Sequence, residues 1–213
     1  WTNLTTGVVY SSTSATLPLS TADTSPGDGV QCAVTVNDAD GGSASLSDSV
    51  TISNTDPTFS VSAAITASGT KVGDTLTCDA EGVDQDDGTL NPSYVWEDAD
   101  GVTLGTGSTL TLTATNSTPA EEIACIATIT DTLGASASSS DSVTVDNTDP
   151  VFDVAASISP STGVVADSTL VCSGTVSDAD GDTPTVTYAW TNSNGNTYSS
   201  TSSSLTLSPS DTL

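Results

Sequence analysis

The phrase DSVTISNTDPTF (Asp48–Phe59) returns as DSVTVDNTDPVF (Asp141–Phe152), 93 positions further on. Two other markers keep that interval. Cys32 lies 93 positions before Cys125 and Cys78 lies 94 before Cys172, while Trp1, Trp96 and Trp190 are spaced by 95 and 94. Three unrelated patterns with one period define a tandem repeat of about 94 residues. Solenoid modules are shorter, about 20–50 residues, so this unit is a whole domain. The phrase marks the boundary. One complete unit is expected at 58–150, the second half of a unit at 1–57, and the first half of another at 151–213. WTNLTTGVVYSSTSATLPLS from Trp1 aligns with WTNSNGNTYSSTSSSLTLSP from Trp190, so two chains exchanging halves would supply this stretch twice. That overlap favours a window from a longer array over a strand-exchanging subunit.

The unit has the period of β-structure. TLTCDAEGV, IACIATIT and LVCSGTVS place an apolar or small residue at every second position, as a strand with one buried face requires. Strands are expected over 58–67, 74–83, 93–98, 108–114, 122–130 and 140–147, with DADG at 98–101 as a turn. About seven short strands separated by turn signals indicate a sandwich. Net charge is −26, from 27 Asp+Glu against one Lys+Arg, which by itself is compatible with disorder. The alternation, on 35% hydrophobic residues, decides for an ordered all-β chain.

Cys78, Trp96 and Cys125 fall on the second, third and sixth expected strands. This order resembles the immunoglobulin-type sandwich, which places a cross-sheet disulfide there with an indole against it. The resemblance implies a Cys78–Cys125 disulfide and a core around Trp96 and Tyr94, repeated at Trp190 and Tyr188. Ile123 and Val30 stand where antibody domains carry a tyrosine, so the likeness is one of architecture. By the repeat, Cys32 and Cys172 find their partners outside this chain segment. SDADGDTPTVTYAW (Ser177–Trp190) is similar to the PKD phrase of an Asp-rich loop followed by TYxW, and VTVDNTDPVF resembles a cadherin linker. Over its whole length the chain resembles the tandem Ig-like and PKD-like repeats of bacterial and archaeal surface proteins. The fold this implies is a row of immunoglobulin-like β-sandwiches.

The acidic phrases are the candidate site. In a sandwich of this order the linker residues Asp146, Asn147 and Asp149 approach the loop residues Asp178, Asp180 and Asp182 of the following unit. The matching set in the complete unit is Asn54, Asp56, Asp84, Asp86, Asp87 and Asp131. Converging carboxylate and amide oxygens suit Ca²⁺, which takes about 6–8 oxygen ligands in flexible geometry. The same residues also read as ordinary turn formers. Pro57 and Pro150 fix φ in the linkers. Zinc is not expected, because the chain has no His and no CxxC pair. Asn3-Leu4-Thr5 and Asn116-Ser117-Thr118 fit the glycosylation sequon.

These features weigh against catalysis, since no His is present and the acids recur in turns instead of converging on one site. The charge disfavours nucleic acid. No apolar run approaches the roughly 18 residues of a membrane span, so insertion of this segment is not expected. Cysteines in a disulfide pattern place the chain outside the cell or on its surface. The leading expectation is a structural repeat of a long extracellular fibre, stalk or filament. Its partners would be neighbouring repeats and lateral copies. The alternative is an adhesin or a polysaccharide-binding accessory module, which an exposed row of Tyr10 and Tyr198 would support.

Overall fold

The computed structural model describes residues 1–209. All regular structure among them is β. The strands are β1 (Thr2–Asn3), β2 (Gly29–Asn37), β3 (Ser43–Thr51), β4 (Thr58–Ala67), β5 (Thr75–Asp84), β6 (Gly88–Leu90), β7 (Ser93–Asp98), β8 (Thr103–Thr106), β9 (Thr109–Thr111), β10 (Glu122–Thr130), β11 (Ser136–Thr144), β12 (Val151–Ser159), β13 (Thr169–Ser177) and β14 (Ser204–Thr206). They form four sheets, ordered β1-β2-β3, β11-β10-β7-β8, β12-β13-β14 and β4-β5-β6, with β9 paired to β5.

The chain gathers into two compact units. The first comprises Trp1–Thr66, Thr77–Leu110 and Ile123–Val143; the second comprises Ala67–Leu76, Thr111–Glu122 and the chain from Thr144 onward.

In the first unit, the alternation of β10 turns Ile123, Cys125, Ala127 and Ile129 inward, and all four are fully buried. Cys125 is bonded to Cys78 of β5, which ties two different sheets together. Trp96 of β7, fully buried, is the register partner of Cys125. Tyr94, two residues away on the same face, accepts the amide N–H of Ala80 of β5 at its hydroxyl (3.1 Å). Gly82 of β5 permits the closest approach. A Cβ there would lie 2.6 Å from Ile129 Cγ2, so this position excludes every side chain unless the sheets part. Along β4, Ala63 N–H donates to Ser139 Oγ (3.0 Å) and Ile65 N–H to Asp141 Oδ2 (2.7 Å) of β11.

In the second unit, Leu112 and Val145 are buried. Leu112 exchanges backbone bonds with Gly73 and Asp74, and Val145 with Ala120 and Glu121. The hairpin of β12 and β13 continues through β14, where Leu170 pairs with Leu205.

The expected strands at 58–67, 93–98 and 122–130 stand at those bounds. The strand expected over 140–147 begins earlier, at Ser136. Asp131 Oδ1 accepts the N–H groups of Leu133 (2.9 Å) and Ala135 (2.8 Å), closing a tight turn, so β11 starts at once. Two short strands, β6 and β8, arise where turns fold the chain back. For β8 the DADG turn is responsible: Gly101 takes φ +80° and Asp98 Oδ1 accepts Val102 N–H at 2.8 Å. The stretch around Trp190 was expected to repeat β7. It forms only an isolated bridge, Thr191 to Thr197.

The repeat is visible in side-chain bonds as well. In the first unit, Trp1 Nε1 donates to Ser14 O (3.0 Å) and Trp96 Nε1 to Gly107 O (2.9 Å). In the second, Trp190 Nε1 donates to Ser202 O (3.0 Å). The pair Asn3↔Val30 likewise copies Asp98↔Ile123.

Candidate functional site

The NTDP linkers fold as the sequence order suggests, each against an Asp-rich loop. In the first unit, Thr55 N–H donates to Asp86 Oδ2 (2.7 Å), and Asn54 Nδ2 donates to Asp131 Oδ2 (2.7 Å). Asp84 Oδ1 in turn accepts the N–H groups of Asp86 (2.6 Å) and Asp87 (2.9 Å), the self-capping loop typical of Asp before a turn. Asp87 accepts from Thr132 N (3.0 Å) and its hydroxyl (2.9 Å). Asn54, Asp84, Asp86, Asp87 and Asp131 are thus one connected group.

The second unit repeats the pattern. Thr148 N–H donates to Asp180 Oδ2 (2.6 Å), and Asp180 N–H donates to Asp178 Oδ1 (2.9 Å). Asn147 lies beside them, its Nδ2 bonded to Thr148 O (3.0 Å). Four of the expected residues stand apart. Asp56, Asp149 and Asp182 are exposed and lie outside these bonds. Asp146 is drawn to Thr70 instead, whose hydroxyl donates to its Oδ2 at 2.8 Å.

Both clusters contain buried oxygens with no hydrogen-bond partner. In the first they are Asn54 Oδ1 and Asp84 Oδ2; in the second, Thr148 Oγ1 and Asp180 Oδ1. Asp84 is 6% exposed and Asp180 8%. A carboxylate oxygen removed from water without a donor is costly, of the order of several kcal/mol. A hard cation relieves that cost, and these oxygens are the ligand type that Ca²⁺ accepts. Among the described residues no three His, Cys, Asp or Glu side chains form a metal-holding group. An ion here would therefore need amide, hydroxyl, backbone or water oxygens beside one or two carboxylates.

Asp131 is held below the ordinary carboxylate range, first by the Asn54 amide and then by the backbone amides of its own turn, with burial opposing. Asp28 is lowered in the same way by Ser25 N–H and then Asn3 Nδ2. A depressed folded-state value stabilises the fold above the unfolded value of about 3.9, and that stabilisation is lost as pH falls through the folded value. We therefore expect the stability advantage of the parent over Asp131→Asn to shrink on titration from about pH 5 to pH 2. Paired thermal melts measure it, and a constant gap refutes it. The difference is the relevant quantity, because acid also relieves repulsion among the other carboxylates.

The sequon residues differ in presentation. Asn3 is fully buried, with Nδ2 bonded to Asp28 Oδ2 (2.7 Å) and Oδ1 accepting from Thr5 N (3.0 Å) and Thr6 N (3.1 Å). The folded chain does not offer it for glycosylation. Asn116 is half-buried, and its Oδ1 accepts Thr113 N–H at 2.7 Å. Tyr10 and Tyr198 are each half-buried, and the Tyr10 hydroxyl bonds to Asp23 O (3.2 Å). Among the described residues no helix is long and apolar enough to cross a membrane.

No protein-family model matches the chain, and no curated protein matches it in sequence.

Proposed function

We propose that the chain is a structural segment of a long extracellular fibre, stalk or filament-forming surface protein. In this reading it is built from tandem immunoglobulin-like sandwiches of about 94 residues. Disulfides staple the sandwiches, and Ca²⁺ at the linkers stiffens the joints. The observation that carries the reading is Cys78–Cys125 linking two sheets beside Trp96, with the same indole bond recurring at Trp1 and Trp190. Repetition of one load-bearing module is what a fibre requires, and it supplies no unique cleft for chemistry. The oxidising location follows from the same bond.

Pulling single chains tests the mechanical role. The disulfide withholds the 47-residue separation from extension, so reduction should add roughly 160 Å of contour length to the middle module's unfolding step. Identical steps in both redox states would remove the staple from the mechanism.

The ion is tested by thermal melts in Ca²⁺, in EDTA, and in NaCl of matched ionic strength. Asn54 Oδ1 and Asp84 Oδ2 would hold it in one cluster, Thr148 Oγ1 and Asp180 Oδ1 in the other. At about a hundredfold excess over Kd, Ca²⁺ should add about 2–3 kcal/mol, roughly 10 °C for a domain of this size. A response equal to that of NaCl assigns the acidity to surface hydration instead.

A further inference from the structure

The hairpins at the two ends of the chain expose faces that their counterparts in the middle bury. On β10, Ala127 and Ile129 are fully buried; one period earlier on β2, Val34 is 59% exposed and Val36 63%. Beside them on β3, Leu46 is 85% exposed and Val50 61%. On β5, Leu76 and Cys78 are fully buried, whereas Leu170 and Cys172 of β13 are only partly covered. Phe152, Val154 and Ile158 of β12 are 67%, 56% and 51% exposed. Cys32 and Cys172 both carry free thiols. Cys172 opens into a cavity of about 300 Å³ beside Ile158, Tyr188 and Trp190, the space that corresponds to Cys125's side of the middle module.

These two faces are complementary halves of one template, and the middle module shows how they fit. We infer that the β12–β13 hairpin of one copy docks on the β2–β3 face of a second copy, in the manner of β4–β5 on β10–β11, and that a Cys172–Cys32 disulfide locks the pair. Asp48 stands where Asp141 captures the Ile65 amide of β4, ready to take the Ile158 amide of the incoming strand. Thr187–Asn192 would lie along Thr35–Val30 in the register that Ser93–Asp98 takes on β10. The duplicated tryptophan stretch, which as sequence opposes such an exchange, reduces to one local competition. Trp1 and Trp190 answer to a single indole position, and Trp190 is the buried one, 7% exposed. β1, paired to β2 through Thr2 and Asn3, must then yield. Because each copy offers one face of each kind, the contact is head-to-tail and propagates into a filament.

The inference rests on the tandem-sandwich reading, and its chemistry is ordinary thiol–disulfide exchange. The two thiols form one S–S bond while added glutathione disulfide is cleaved and leaves as two glutathione thiols, which take up both protons and both electrons.

The test mixes the 213-residue chain as Cys32→Ala with the same chain as Cys172→Ala, in glutathione disulfide and high NaCl to screen the −26 charge on each copy. Each variant retains only one of the two thiols. The mixture should give covalent dimer at least about tenfold above either variant alone, because docking raises the local thiol concentration. Val36→Asp placed in the Cys172→Ala partner should abolish it. Val36 is already exposed, so that change leaves the monomer folded. Leu133→Asp, at a turn tip 63% exposed, should leave the yield intact. Equal dimer in single and mixed samples overturns the inference, as does parent chain that closes Cys32 to Cys172 within one molecule. Mass mapping separates the two levels. An intact Cys78–Cys125 bond with no Cys32–Cys172 link defeats the docking alone, while a scrambled Cys78 defeats the sandwich reading too.

Discussion

Replacing Cys78 and Cys125 together by alanine should lower the unfolding free energy of the middle module by about 4 kcal/mol, the loop-entropy value for a 47-residue separation. For a domain of average stability that is close to half of the total. The loss matters more here because the core is lean. Aromatic residues are 4% of the chain, and much of the interior consists of Ala127, Ala63 and the two cysteines themselves. Serine should be worse than alanine by about 1–3 kcal/mol, since Cys78 and Cys125 are fully buried and a hydroxyl there would lack a partner. Urea unfolding of the oxidised parent and both double variants measures this. A rise in m-value should accompany the fall in midpoint, because the uncrosslinked chain exposes more surface when unfolded. A midpoint shift below about 1 kcal/mol would mean that β5 and β10 hold together without the staple.

Trp96→Ala should cost about 3–5 kcal/mol, the range for removing a fully buried large aromatic. Two losses combine. The indole leaves a cavity beside Cys125, its register partner, and the bond from Nε1 to Gly107 O at 2.9 Å disappears. Trp96→Phe separates them. It keeps most of the volume and forfeits the bond, so it should cost less than half as much as alanine. Because Trp96 and the disulfide touch the same core, their effects should not add. A double-mutant cycle with the cysteine pair should show coupling of about 0.5–3 kcal/mol. Additive losses would show that the indole and the disulfide stabilise separate regions.

The period and the strongest strands were legible because they carry contrast. In EIACIATIT an apolar residue alternates with a small or polar one, and β10 occupies that stretch from end to end. The stretch SASSSDSVT has no such contrast. Ala137, Ser139 and Asp141 face inward on β11 although nothing in their polarity says so. That is why the strand's start was misplaced. The short strands β6 and β8 are products of turns, and their register follows from backbone closure at Gly88 and Gly101, both at positive φ. For the candidate site, the sequence pointed to the acidic residues. It could not show which oxygens would remain unpartnered, because that depends on which backbone amides the turns consume. Asn3 was misread for the same reason. Its equivalence to Asp98 in the aligned WTN and WED is the signal that it is a turn-capping residue, so its sequon is incidental.

Strand β4 has a consequence for how a chain of near-identical modules folds without error. Modules linked in tandem present each other with almost the same sequence at very high mutual concentration, the condition under which neighbouring domains trade strands and misassemble. An open strand edge is where such trading begins, and proteins often post a lysine there to prevent it. This chain has a single Lys+Arg residue to spend. The latches from Ser139 and Asp141 to the amides of Ala63 and Ile65 do that work with acid and hydroxyl groups, occupying donors that a stray strand would need. Each finished module is thereby made inert toward its siblings, and fidelity during synthesis becomes a property of every unit.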